Sequence, residues 1–137
     1  GIRDVLGSRG LGGVYKSQVG TESYELGFSK GLIDPGESVY EAANRELKEE
    51  VGFGANDLTF LKKLSMAPSY FSSKMNIVVA QDLYPESLEG DEPEPLPQVR
   101  WPLAHMMDLL EDPDFNEARN VSALFLVREW LKGQGRV

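Results

Sequence analysis

Between Gly31 and Phe53 the chain reads GLIDPGESVYEAANRELKEEVGF, with six acidic residues against two basic ones. Three of the acids, Glu46, Glu49 and Glu50, fall within five positions, directly after Arg45. Positions i, i+3 and i+4 of an α-helix share a face. The three carboxylates therefore project to one side, and Arg45 can reach Glu49 one turn on. Two readings stand side by side. Solvated charged faces are common, and i,i+4 ion pairs add only about 0.2–0.5 kcal/mol to such a helix. Clustered like charges cost a similar amount, and only Arg45 and Lys48 compensate nearby. Three carboxylates on one side suit a hard divalent cation. Magnesium takes oxygen ligands at about 2.0–2.1 Å, keeps part of its water shell and shares itself with substrate phosphates.

The rest of the chain removes several rival chemistries. There is no cysteine, which excludes disulfides, thiolate zinc sites and a cysteine nucleophile and agrees with a cytoplasmic location. The single histidine is His105, so a histidine metal centre or a Ser-His-Asp triad would rest on it alone; it reads as a surface helix residue. A net charge of −8 argues against a nucleic-acid partner, which needs a basic footprint. An anionic substrate would need a cation between itself and the protein. No apolar run is long enough for a membrane span, and GIRDVLGSRG lacks the apolar core of a signal peptide. GLGGVYKS (10–17) approaches the phosphate-loop pattern, but Tyr15 stands where the second glycine must allow close backbone approach.

The elements that must position the carboxylates follow from the pattern. The length of 137 residues suits one domain with a real core. Five glycines in the first 13 positions and no visible alternation make residues 1–18 read as an atypical Gly-rich lead segment, a linker, tag remnant or mobile arm. SYELGF (23–28) reads as a short strand and Pro35-Gly36 as a turn. The spacing predicts a helix from Ser38 to about Val51. Ser38 is its N-cap, Glu41 completes a capping box, and Gly52 follows the last turn. Val39, Ala42, Ala43 and Leu47 give it a second, apolar stripe. Residues 58–67 and 74–83 read as strands, 84–97 as an acidic, proline-rich loop, 98–103 as a strand, 103–112 as a short helix and 115–133 as a terminal helix. Ala123, Leu124, Val127, Trp130 and Leu131 form the terminal helix's apolar stripe, and Met106, Met107 and Trp130 read as core. Strands and helices in this order suggest an α/β sandwich in one domain.

The wider spacing G31-x5-E37-x7-R45-E46-L47-x-E49-E50-x-G52 sharpens the carboxylate reading. Seven residue types sit at set distances: Gly31, Glu37, Arg45, Glu46, Glu49, Glu50 and Gly52. At about one in fifteen per position, chance supplies this on the order of 10⁻⁸ per start point. The stretch resembles the signature box of the Nudix hydrolases, with Phe53 where an aliphatic residue is usual. The flanking segments SYELGFSKG and PSYFSSKMNIVVAQDL resemble the ADP-ribose pyrophosphatase branch of that family, and the likeness runs from about Val19 to Val137.

That resemblance implies an α/β/α sandwich around a mixed β-sheet, with residues 19–137 as the Nudix domain. It implies magnesium, or manganese in its place, held by Glu46 and Glu50 with Glu49 assisting and with the backbone carbonyl of Lys30. Arg45 would orient the glutamates, Glu37 would support the loop, and Gly31 and Gly52 would shape its ends. It further implies hydrolysis of ADP-ribose, NADH and diadenosine polyphosphates, with AMP released from the first two, and a homodimer where the N-terminal region is complete. Glu25 corresponds to a substrate-binding position. A carboxylate beyond the box would serve as base: Glu89, Asp91, Glu92 and Glu94 are candidates, Glu94 first and Glu92 second, against a solvated acidic loop. Tyr70 and Phe71 suit stacking on adenine or plain loop packing. Three alternatives stay open: hydrolysis of another nucleotide sugar, a non-catalytic ADP-ribose-binding module, and a structural domain with an acidic face.

Overall fold

A computed structural model describes residues 14–19, 23–66, 74–89 and 98–136. The box helix, α1, runs Val39–Glu50 and begins as its sequence requires. The Ser38 hydroxyl accepts from the Glu41 amide and the Glu41 carboxylate accepts from the Ser38 amide, both at 3.1 Å. Ala42 and Leu47 are buried beneath it, and the helix lies against β3 (Phe53–Ser65) and β4 (Lys74–Pro85). Those strands pair antiparallel from Phe53 opposite Pro85 to Ser65 opposite Lys74, with a bulge between Phe60 and Lys62. β3 starts five residues before the expected position. Gly54, Asn56 and Asp57 have poor strand propensity, but the Asn44 side chain on α1 accepts from the Ala55 amide at 2.9 Å and ties the strand's start to the helix.

The second sheet has the order β2-β1-β5, with β1 at Val14–Val19, β2 at Ser23–Gly27 and β5 at Gln98–Val99. β1 pairs antiparallel with both neighbours. Residues 14–18, which the sequence shows without visible alternation, lie in β1 and so in the sheet. VYKSQV is too mixed to announce itself, and pairing on both sides supplies what its pattern lacks. Among the described residues every strand pair is antiparallel. β5 covers two of the six residues expected; Pro102, within that span, has no amide for a ladder, and the Trp101 indole donates to the His105 carbonyl at 2.7 Å.

Leu103–Glu111 is a 3₁₀ helix bent at His105. Long 3₁₀ runs are uncommon, and the bend divides this one. His105 is exposed, as expected. The terminal helix, α2, runs Ala118–Gly133. It starts three residues later than predicted because Glu117 takes the N-cap, accepting from the Arg119 and Asn120 amides. Phe115 turns into the core, edge-on to Phe28 with centroids 5.6 Å apart. Ala123, Leu124, Val127 and Leu131 are buried as the stripe predicted, with Trp130 partly so. Helices packed on sheets over this core make the α/β architecture expected from the sequence.

Leu124 is fully buried, whereas its neighbour Phe125 is 43% exposed. Leu124→Ala is expected to lower stability by about 2–5 kcal/mol, and Phe125→Ala by much less. Urea unfolding of both variants measures this. Equal losses would mean the helix presents a different face to the core.

Candidate active site

The box folds as a loop closed onto a helix, and Arg45 closes it. The loop first reverses in the turn Asp34–Glu37. The Glu37 amide donates to the Asp34 carbonyl at 3.0 Å, and Gly36 has φ +86°, as the third position of a type II turn demands. The Asp34 amide returns a bond to the Glu37 carboxylate at 2.8 Å. Arg45 then grips this loop from the helix. Its Nε and Nη2 make a bidentate pair with Glu37 at 2.7 and 3.0 Å. Nη2 also reaches the Leu32 carbonyl at 2.8 Å and the Asp34 carboxylate at 3.3 Å. The remaining nitrogen, Nη1, donates to Glu46 at 2.8 Å and to Glu49 at 3.2 Å. The i,i+4 contact to Glu49 was expected; the wider grip on loop and helix together was not.

The third glutamate is held differently. Glu50 Oε2 accepts from the Ser29 hydroxyl at 2.7 Å and from the Lys30 amide at 3.2 Å. The Ser29–Lys30 peptide therefore lies beside Glu50. Gly31 has no room for a side chain: a Cβ there would overlap the Glu46 carboxyl group. At the far end Gly52 has φ +80°, a conformation that favours glycine after a helix, and its amide donates to the Leu47 carbonyl at 3.2 Å. Phe53 packs against the core.

The charges fall into two kinds. The Arg45 guanidinium and the Asp34 amide hold the Glu37 carboxyl below the usual carboxylate range. Arg45 is itself pushed up, first by its bond to Glu37. Glu46 and Glu50 go the other way. Burial raises both, Glu49 adds to the rise at Glu46, and Glu46 adds to it at Glu50. Two partly desolvated carboxylates close enough to repel each other are a strained arrangement. Among the described residues no three acidic or histidine side chains are gathered in metal-ligand geometry. Glu46 and Glu49 instead share Arg45 Nη1. The donor set nonetheless fits a hard divalent cation, because it is oxygen throughout and a cation would relieve the desolvation at Glu46 and Glu50.

The other predicted site residues are placed less fully. Glu25 lies in β2 with its backbone opposite Ser17; its side chain is outside the described set. Tyr70, Phe71, Asp91, Glu92 and Glu94 also lie outside the described residues, and Glu89 is exposed. The chain leading toward Glu92 and Glu94 is docked on the end of α1. Lys48 pairs with Glu86 at 3.0 Å, the Glu86 amide donates to the Gly52 carbonyl at 3.1 Å, and the Leu88 amide to the Lys48 carbonyl at 3.2 Å. Ser29 was not picked out from the sequence.

A loop-helix-loop closed by an arginine and lined by three glutamates is the form a Nudix box takes, and the NUDIX domain family matches residues 14–125. The chain belongs to the Nudix family. Among solved structures, one described as the crystal structure of ADP compounds hydrolase is 94% identical to it, with a TM-score of 0.87. The match covers 90% of this chain and 68% of that one.

Two outcomes follow from the geometry. Gly31→Ala is expected to displace the Glu46 side chain and weaken divalent-ion binding by about 10-fold or more, measured by calorimetric titration; unchanged binding would mean that Glu46 has no role in it. The second concerns pH. Glu46 and Glu50 have folded-state pKa values raised above the ordinary 4.5. The stability they contribute is complete below that value and declines as pH rises through the raised ones. Glu50→Gln keeps an acceptor for Ser29 and Lys30 but removes one charge. In EDTA the variant is expected to lose less stability than wild type between pH 5 and pH 8. Parallel urea-unfolding curves at the two pH values for both proteins would contradict this.

Proposed function

We propose that this chain is a divalent-metal-dependent pyrophosphohydrolase of ADP-linked compounds. ADP-ribose, NADH and diadenosine polyphosphates are its substrate class, and AMP is released from the first two. The observation that carries the reading is the complete box: Glu46, Glu49 and Glu50 together at the loop that Arg45 closes. The substrate class is supported by the 94% identity to the structure described as ADP compounds hydrolase. Glu46 and Glu50, with Glu49 and the Lys30 carbonyl, would hold Mg²⁺, with Mn²⁺ as an alternative. Such an ion supplies neutralisation of the diphosphate charge and activation of the attacking water.

The chain's own residues set up the rest. Arg45 keeps Glu46 and Glu49 aimed, and Glu37 keeps Arg45 in place. Ser29 and the Lys30 amide fix the Glu50 carboxylate. Water oxygen attacks one phosphorus and the bridging P–O bond breaks. The water proton goes to a carboxylate beyond the box, Glu94 first and Glu92 second, while the released phosphate carries the bridging oxygen. From ADP-ribose the products are AMP and ribose 5-phosphate. Tyr70 and Phe71 stack on adenine and Glu25 contacts substrate in this reading. Cytoplasmic location and a homodimer complete it; among the described residues no helix is long and apolar enough to cross a membrane.

The test is product analysis with ADP-ribose, NADH and a diadenosine polyphosphate in Mg²⁺. Wild type is expected to release AMP from the first two, and EDTA to stop it. Glu50→Gln should lower kcat by about 100-fold or more, and Glu94→Gln should lower it more than Glu92→Gln. Equal rates in wild type and Glu50→Gln would sink the mechanism. Binding of ADP-ribose with no turnover would make the chain a binding module, and a preference for another nucleotide sugar would replace the substrate class alone.

A further inference from the structure

Ser29 and Lys30 hold Glu50, and the residues that hold that segment in turn lie outside the box. Asn120, on α2, is 1% exposed and is the one buried polar side chain among the described residues. It sits on the stripe that otherwise carries Ala123, Leu124, Val127 and Leu131, where an amide needs partners to be tolerated. Its Oδ1 accepts from the Phe28 amide at 3.2 Å. Gly27 lies flat against the same carboxamide, with no room for a Cβ between them. The Phe28 ring is fixed edge-on to Phe115, and the Leu26 amide donates to the Asp114 carbonyl at 2.8 Å. Residues 26–28 are thus fastened to the start of α2, and the next two residues are fastened to Glu50.

We propose that Asn120 is a positioning residue for the ion site: through Phe28 it fixes the Ser29–Lys30 segment that orients Glu50 and sets the Lys30 peptide beside it. The inference rests on Glu50 being a metal ligand. Outer groups that orient ligands typically change metal affinity 10- to 100-fold when removed. A polar residue that merely fills the core would change stability without touching affinity in particular.

The experiment uses the full chain and Mn²⁺ alone, with free Mn²⁺ read by its electron paramagnetic resonance signal and folding by urea unfolding. Asn120→Ala is expected to weaken Mn²⁺ binding about 10-fold, and Ser29→Ala to weaken it in the same direction. Val127→Ala, a core truncation on the same stripe, should lose stability but stay within about twofold of wild-type affinity. A folded Asn120→Ala with wild-type affinity, or a Val127→Ala loss as large as that of Asn120→Ala, overturns the proposal. Should Asn120→Ala not unfold cooperatively, Gly27→Ala, which pushes the carboxamide off Phe28 and removes nothing, is judged by the same criterion. Wild-type affinity in Ser29→Ala overturns it independently, because the segment then does not orient Glu50. Failure of the underlying reading has its own signature: Glu50→Gln would bind Mn²⁺ as tightly as wild type.

Discussion

The arrangement depends on one guanidinium. Arg45 presents a planar fork of five donors, and its contacts divide between the loop and the helix. Nε and Nη2 hold the loop through Leu32, Asp34 and Glu37, while Nη1 holds the helix through Glu46 and Glu49. A lysine in this position would offer a point charge without the fork, and could not span both sides. The same residue answers the charge problem of the helix. Three carboxylates within five positions repel one another, and the guanidinium lies between two of them. It also explains why Glu37 belongs to the motif although it lies eight residues before Arg45: it is the carboxylate that keeps Arg45 in place.

Glu50 stands apart from that network, and its separation has a consequence. Its partners are a hydroxyl and a backbone amide, neutral donors that aim a carboxylate without cancelling its charge. Burial and the nearby Glu46 raise its pKa against those two bonds and the charge of Lys30. A carboxylate that is oriented but not neutralised has strong affinity left for a cation. Had Arg45 reached Glu50 as well, that affinity would be spent within the protein. The division between Arg45-paired glutamates and one bonded to a hydroxyl and an amide is therefore what supports the proposed ion site.

Much of this was legible in the sequence, for a physical reason. The capping box, the Pro-Gly turn, Gly52 and the Arg45–Glu49 contact are local: each is a bond between residues a few positions apart, so spacing alone encodes it. The buried stripe of α2 was legible from periodicity. What was missed is non-local or overridden. β1 carries no clear alternation and exists by pairing on both sides. The start of β3 is tied down by Asn44, eleven residues before Ala55, and the start of α2 is set by Glu117 in place of the apolar Phe115. The tie from Phe28 to Asn120 spans 92 residues, and no single-sequence pattern reaches that far. Its trace was still present: Asn120 is the polar residue on an otherwise apolar stripe, and a polar group there asks what it bonds to.

That question connects the box to the rest of the domain. A 23-residue motif can carry ligands, but it cannot by itself fix the strand end that faces them. Loop backbone is held only where other groups bond to it. Here the strand end entering the box is fixed from both sides, by a side chain of α2 on Phe28 and by a side chain of α1 on Ser29 and Lys30. The two helices thus bond to three consecutive residues of chain, Phe28, Ser29 and Lys30. Variation in α2 can then tune the site without altering any residue of the motif. The box names the chemistry, and the groups packed behind it decide how firmly its ligands are aimed.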